Sequence, residues 1–434
     1  MHAQTSSANK SDGTLVDKNT LVILGIFTVL IIGYVINAID RTSFPVFISD
    51  ILHEYGFGLS DAGFISTISY LGMGLTGFPV GYLLHRYSKK HLFNIGLFIF
   101  SAGTLLTIWS VQYWDMAAYR VLSGIGESLQ LTALFAIAGV MFSRYRGAAM
   151  GAVNSAFAIG SFVGPYLGGV MLEASGAWRV PMIVFAVVGF VAFIGTLLLP
   201  KRIIDGHLHL EDESAKVIGG ADSLWNHNTY LLIPATALGG LVTFGFLGMY
   251  PTFLREHLGY EALSAGFIFS LSGLGSLASL IGGYLGDWFN MRWVLVASNV
   301  ATAVIGFLMF LGPTDPISQG IFSFALGVTF SGVVYVNLVS GFVKSLNQRL
   351  SGLASGLFMT SMYVPAAFAG YIIGAMASSW GWAAAGSIQT GVFSIVAAVI
   401  CLFLKPELFS RHRTDDAGED ASDEAGRSSS VIVG

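Results

Sequence analysis

Charge is scarce in this chain. Only 11% of its 434 residues are Asp, Glu, Lys or Arg, against about 25% in a soluble domain. With 54% hydrophobic residues and a mean hydropathy of +0.71, this excludes a water-soluble globular domain and points to an integral membrane protein. Cysteine is scarcer still: the single Cys401 rules out an intramolecular disulfide, and its late apolar run suggests a packing or lipid-facing role. Lys and Arg number 21 against 25 Asp and Glu, a net charge of -4, so no basic excess marks a nucleic-acid surface. A catalytic constellation is also missing. His53, His85, His91, His207, His209, His227 and His257 fall at loops or segment ends without metal-ligand spacing, and His207-Leu208-His209 reads as solvated linker. No enzyme activity, cofactor or metal is expected.

What the chain has is long apolar runs of about 20 residues, the length a helix needs to cross a bilayer. The first six fall at about 21–51, 60–84, 91–111, 114–142, 147–172 and 180–199, and a second six at about 229–254, 262–286, 293–312, 317–342, 351–377 and 383–404. The expectation is an all-α integral membrane protein of twelve transmembrane helices in two pseudo-symmetric six-helix halves. Residues 1–19 form an N-terminal tail, 20–200 the first bundle, 201–228 a charged linker, 229–404 the second bundle and 405–434 a disordered tail. The polar first twenty residues and the length of the run from Leu21 argue against a cleavable signal peptide, so that run is read as a retained helix.

Orientation follows from the short loops. One side carries Lys10, Lys18, Arg86, Lys89, Lys90, Arg144, Arg146, Lys201, Arg202, Lys216, Arg292, Lys344, Arg349, Lys405, Arg411, Arg413 and Arg427, whereas the other holds Arg179 and Arg255. The positive-inside rule puts both termini and the linker in the cytoplasm, in a cell inner (plasma) membrane. The basic loop residues are absorbed by that rule, leaving no call for nucleic acid. Monomer is the default oligomeric state.

An internal repeat relates the halves: Gly81-Tyr82-Leu83-Leu84-His85 follows the second run and Gly283-Tyr284-Leu285-Gly286-Asp287 the eighth. Duplicated six-helix halves are the architecture of alternating-access carriers, with the substrate at their interface. Within the first run stands Asn37-Ala38-Ile39-Asp40-Arg41-Thr42. An Asp or Arg at a helix centre costs roughly 2.5 to 3.5 kcal/mol, and such residues face a bundle interior or a wet cavity.

The loop from Gly81 to Lys90, the fourth-run string Arg120-Val121-Leu122-Ser123-Gly124-Ile125-Gly126 and the fifth-run string Gly160-Ser161-Phe162-Val163-Gly164-Pro165-Tyr166-Leu167-Gly168-Gly169 resemble motifs of the major facilitator superfamily. The resemblance covers almost the whole chain. It implies the major facilitator fold and, through the first loop, a cytoplasmic latch involving His85, Arg86, Arg144 and Asp287. His85 stands where the family has an acid, so a weakened or pH-dependent latch and a tolerated loop change are both open. Asp40-Arg41-Thr42 and the Arg120-x6-Glu127 spacing resemble the anion:cation symporter group, carriers of hexuronates, galactonate and other organic anions. That resemblance implies Asp40 and Glu127 as proton-coupling acids, with Arg41 and Arg120 serving the anion or its coupling network.

The residues support such roles chemically. Seven positions are close to two helical turns, so Arg120 and Glu127 share a face, while Tyr34, Asn37 and Arg41 follow an i, i+3, i+7 spacing. A guanidinium stays charged and can grip a carboxylate or phosphate with two donors. An acid couples to protons when a helix motion changes its distance to Arg or water. The alternative is two structural ion pairs locking the first and fourth helices, and for Arg120 in particular both readings stand. The second half offers neutral groups, Tyr250, Asn299, Tyr335, Asn337, Tyr363 and Gln389, which fit either substrate recognition or helix packing. Tyr34, Asn37, Tyr70, Asn154, Tyr335 and Asn337 are the candidate substrate contacts beside the two arginines. The expected function is proton-coupled import of a small organic anion by alternating access; the rival is a proton-coupled exporter of drug-like or metabolite compounds.

Overall fold

The computed structural model describes residues 18–142, 146–205, 217–218, 220–347 and 350–412, and nearly all of them are helical. The first part of the chain forms α1 (Lys18–Tyr55), α2 (Leu59–Thr67), α3 (Ser69–Arg86), α4 (Lys89–Thr107), α5 (Tyr113–Met141), α6 (Arg146–Ser175), α7 (Arg179–Leu197) and the short α8 (Lys201–Asp205). The later part forms α9 (His227–Thr252), α10 (Ala262–Gly275), α11 (Ser279–Trp288), α12 (Met291–Leu311), α13 (Pro316–Leu326), α14 (Tyr335–Ser345), α15 (Ser351–Trp380), α16 (Trp382–Gly386) and α17 (Phe393–Leu402). The described residues contain one two-stranded pairing, Val217–Ile218 against Arg411–His412.

Among the described residues ten helical stretches are long and apolar enough to cross a membrane. The runs expected at 60–84 and 91–111 are not among them. The first is split at Ile68 into α2 and α3. The second opens on Lys89, Lys90 and His91 and carries Asn94. Several other runs are single in the sequence but jointed in the fold. Wider π-type turns at Gly327–Val334 and Ser387–Val392 link α13 to α14 and α16 to α17, and a tight turn at Ser276–Ala278 links α10 to α11. Hydropathy registers the length of a run but not a joint within it.

Local caps set where helices start. Gln112 and Asp115 form a reciprocal capping box at α5, satisfying backbone donors that a helix leaves free. Asp315 accepts from the Ser318 N–H ahead of Pro316 at α13. Ser88 caps α4, and its hydroxyl donates to Asp205 at 2.6 Å while the Lys90 N–H reaches the same carboxylate at 3.1 Å. The short α8 is thereby tied to the start of α4.

Small residues bring the site-bearing helices into contact. A methyl group at Gly160 of α6 would overlap Ala38 of α1, and one at Gly124 of α5 would overlap the Ser69 carbonyl at the start of α3. Both contacts border the charged residues of α1 and α5, so the glycine motif of α6 serves backbone approach.

Where α1 ends, a set of polar contacts joins early helices to late ones. Arg255 donates to both carboxylate oxygens of Asp50 and, at 3.0 Å, to the Val46 carbonyl. His53 Nε2 lies 3.1 Å from both Glu256 oxygens. Deeper, Ser66 donates to the Gly248 carbonyl at 2.7 Å and Thr67 to the Ala367 carbonyl at 2.9 Å. This end of the helix bundle is sealed.

Candidate functional site

Four charges meet within α1 and α5, and they pair crosswise. Arg41 Nη1 lies 3.8 Å from Glu127 Oε2, and Arg120 Nη1 lies 3.8 Å from Asp40 Oδ2. All four side chains are buried. Adjacent residues on a helix project about 100° apart, so Asp40 turns toward α4 and α5 while Arg41 turns inward. Thr104 donates to Asp40 Oδ2 at 2.8 Å, and Ser123 donates to Glu127 Oε1 at 3.2 Å. The Arg120 guanidinium lies 3.9 Å from the Phe44 ring centre, and that of Arg41 lies 4.8 Å from Phe157, distances at which a cation is attracted to an aromatic face. Arg41 also approaches Met73 Sδ at 3.4 Å.

At 3.8 Å neither ion pair is a hydrogen bond, and Asp40 Oδ1, Glu127 Oε2, Arg120 Nε and Arg120 Nη1 have no hydrogen-bond partner. The quartet is therefore held by charge at a distance more than by directed bonds. Such an arrangement can exchange partners with small side-chain movements.

Beside the quartet lies a cavity of about 90 Å³. Of the expected substrate contacts, Arg41, Tyr34, Tyr70, Asn154 and Tyr335 line it. Among the described residues early helices supply the only charge in the lining, that of Arg41, and late helices supply Thr243, Phe244, Tyr335 and Tyr363 among others. Tyr70 packs on Phe244 with ring centres 4.1 Å apart, and the Tyr335 and Tyr363 hydroxyls lie 3.3 Å from each other. The cavity thus has one cationic point and a wall of aromatic and neutral polar side chains.

The other expected contacts lie away from the lining. Asn37 is buried and donates to Gln130 Oε1 at 2.7 Å, joining α1 to α5. Asn337 donates to the Gly282 and Val333 carbonyls, both at 2.9 Å, and so packs α14 against α11. Arg120 is 1% exposed and sits behind Asp40 and Phe44. Asp40 and Glu127 are outside the lining as well, and Glu127 is linked to it through Arg41. Of the latch residues, Arg86 is exposed at the end of α3; Arg144 and the side chains of His85 and Asp287 lie outside the described residues.

Thr104, Ser123, Gln130, Phe44 and Phe157 are partners that sequence reasoning passed over. Ser123 and Gln130 carry a signal, since they stand four residues before and three after Glu127, on or near its helical face. Thr104 and the two rings have none in the linear chain.

The sequence model of the Major Facilitator Superfamily matches residues 30–370. The chain belongs to this superfamily. Members of this superfamily are membrane transporters, not enzymes. A sphingosine-1-phosphate transporter, SPNS2, of Danio rerio is 33% identical over 182 residues, 40% of this chain and 36% of that protein. The chain thus matches only about a third of that relative's length. A cis,cis-muconate transport protein of Acinetobacter baylyi is 22% identical over 408 residues, 90% of this chain and 95% of the relative. A methylenomycin A resistance protein of Bacillus subtilis is 21% identical over 457 residues, covering 91% and 97%. The fold matches a crystal structure of a bacterial homologue of the human lysosomal transporter Spinster, inward-facing and unoccupied. The TM-score is 0.71 at 15% identity, over 89% of this chain and 98% of that one.

Proposed function

We propose that this transporter is a proton-coupled symporter importing a small organic anion, a sugar acid, carboxylate or sulfonate, by alternating access. The observation that carries the reading is that Arg41 lies both on the cavity wall and 3.8 Å from Glu127. An anion entering the cavity competes with Glu127 for the same guanidinium. Anion binding and proton coupling are thereby linked through Arg41. Asp40, held by Arg120 and Thr104, is the second proton-coupling acid. The full-length likeness to a muconate transport protein supports an anionic cargo.

The architecture that goes with this reading has twelve spans in two six-helix halves, 20–200 and 229–404, joined by a cytoplasmic linker at 201–228. Both termini are cytoplasmic, the host membrane is the cell inner membrane and the working unit is a monomer. In that orientation the sealed end of the bundle faces outward.

A proton-coupled exporter is the second reading, favoured by the Gly160 to Gly169 motif of α6 and by the resistance protein among the relatives. Proteoliposome transport separates the two. Under import, an acidic outside drives accumulation of an organic anion; substrate driven out of vesicles in exchange for entering protons would reverse the assignment.

A further inference from the structure

The main cavity continues into a narrow side pocket with room for little more than a water-sized group. Phe157 and Leu247 wall both spaces, and Thr243, Ser276 and Ser331 are shared by them as well. Ser161 and Ser272 line the side pocket alone. Among the described residues no Lys, Arg, His, Asp or Glu lines it.

Its hydroxyls are not equivalent. The Ser276 hydroxyl donates to the Gly273 carbonyl at 2.6 Å and that of Ser272 to the Phe269 carbonyl at 2.8 Å, so both protons are committed and the oxygens remain as acceptors. Ser161 Oγ and Thr243 Oγ1 are different: both side chains are more than nine-tenths buried, and neither oxygen has a hydrogen-bond partner. A buried polar group without a partner is costly, so its persistence asks for an explanation. The pocket offers two buried uncommitted hydroxyls, the half-buried hydroxyl of Ser331 and nearby acceptors, a set that suits a neutral group able to both donate and accept.

We propose that this pocket is a second subsite, taking a hydroxyl-like neutral end of the same substrate whose anionic end pairs with Arg41. The inference rests on the anion-carrier reading. Spacing supports one ligand across both subsites. Phe157 and Ser161 are separated by about 6 Å of rise along α6, and the Arg41 guanidinium lies 4.8 Å from the Phe157 ring centre. A body as long as one ring or a short carbon chain bridges the two, running along Phe157 and Leu247. The substrate class is an amphiphilic monoanion with an apolar middle and a hydroxyl at the far end.

Titration calorimetry on the purified full-length protein tests this with 3-(4-hydroxyphenyl)propanoate and its 4-methyl analogue, which matches it in charge and shape. The hydroxylated probe is expected to bind about tenfold tighter, since an analogue lacking the hydroxyl leaves buried polar groups unpaired. Thr243→Val with Ser161→Ala should abolish that preference while the methyl analogue binds as before; Ser161→Ala alone, which removes one oxygen, should reduce it. Equal affinities in the unaltered protein overturn the subsite and leave the anion reading intact. A preference that survives both substitutions also overturns it, because the hydroxyl is then read elsewhere. If neither probe binds while another organic anion does so through Arg41, the subsite fails; if no organic anion binds, the underlying reading fails with it.

Discussion

The Arg41 guanidinium pairs at 3.8 Å with Glu127 and not with Asp40, its neighbour in the chain. Asp40 instead lies 3.8 Å from Arg120. This crossed pairing separates an inner pair, which shares a guanidinium with the cavity, from an outer pair behind it. The two pairs should therefore respond differently to substitution.

For the inner pair, Glu127→Gln is expected to uncouple transport. Substrate exchange across proteoliposomes without a gradient should persist, because Arg41 remains available to the anion. Accumulation driven by a pH gradient should fall by about 5- to 150-fold, the range of a coupling free energy of 1–3 kcal/mol. Full gradient-driven accumulation by Glu127→Gln and by Asp40→Asn would remove the coupling role from both acids.

Arg41 should prove specific as a guanidinium. Arg41→Gln is expected to weaken binding of an organic anion by about tenfold or more, since hydrogen bonds to a charged group contribute roughly 1.5–3 kcal/mol. Arg41→Lys keeps the charge but lacks the planar fork, so it should restore only part of the affinity. Calorimetry or substrate-dependent thermal stabilisation reads both, and wild-type affinity in Arg41→Gln would place the anion elsewhere.

Arg120, the cation of the outer pair, should register mainly as stability. Arg120→Gln leaves Asp40 buried with Thr104 as its remaining partner, and breaking a buried pair from one side costs about 3–5 kcal/mol. Asp40→Asn added to Arg120→Gln should recover much of the thermal stability lost, because no lone charge then remains. Substrate affinity should change little in the double variant. A large loss of affinity there would assign Arg120 to the substrate after all.

Much of this was legible in the linear chain because charge in an apolar run is expensive wherever it occurs. Asp40, Arg41, Arg120 and Glu127 stand out on that ground, and the seven-residue spacing placed the last two on one helical face. Pairing was not legible, since it depends on how α1 and α5 are rotated about their axes, which Gly124 and Gly160 help set through contacts with other helices. Neutral residues were harder to sort. Asn37 and Asn337 looked like Asn154 in sequence, but the first two are used up by Gln130 and by backbone carbonyls, whereas Asn154 lines the cavity. The joints at Ile68 and in Gly327–Val334 escaped because continuous hydropathy carries no signature of a broken helical hydrogen-bond pattern.

The sealed end of the bundle provides the last prediction. Asp50 and His53 stand one turn apart on α1, facing the consecutive residues Arg255 and Glu256 beyond α9. These two contacts tie an early helix to a late one, and alternating access must break them to open this end. The Asp50 and Arg255 side chains are 30% and 17% exposed, so their pair is partly screened and should contribute less than a buried one, about 1 kcal/mol. Asp50→Asn should accordingly raise the population open at this end by about fivefold, read as faster thiol labelling of a cysteine placed near Gly63, which packs against Gly370 in the sealed state. Exchanging the charges, Asp50→Arg with Arg255→Asp, should restore slow labelling if the ion pair itself is the tie. Unchanged labelling in Asp50→Asn would instead assign the seal to the remaining contacts, those of His53 with Glu256 and the close approach of Gly63, Thr67 and Gly370.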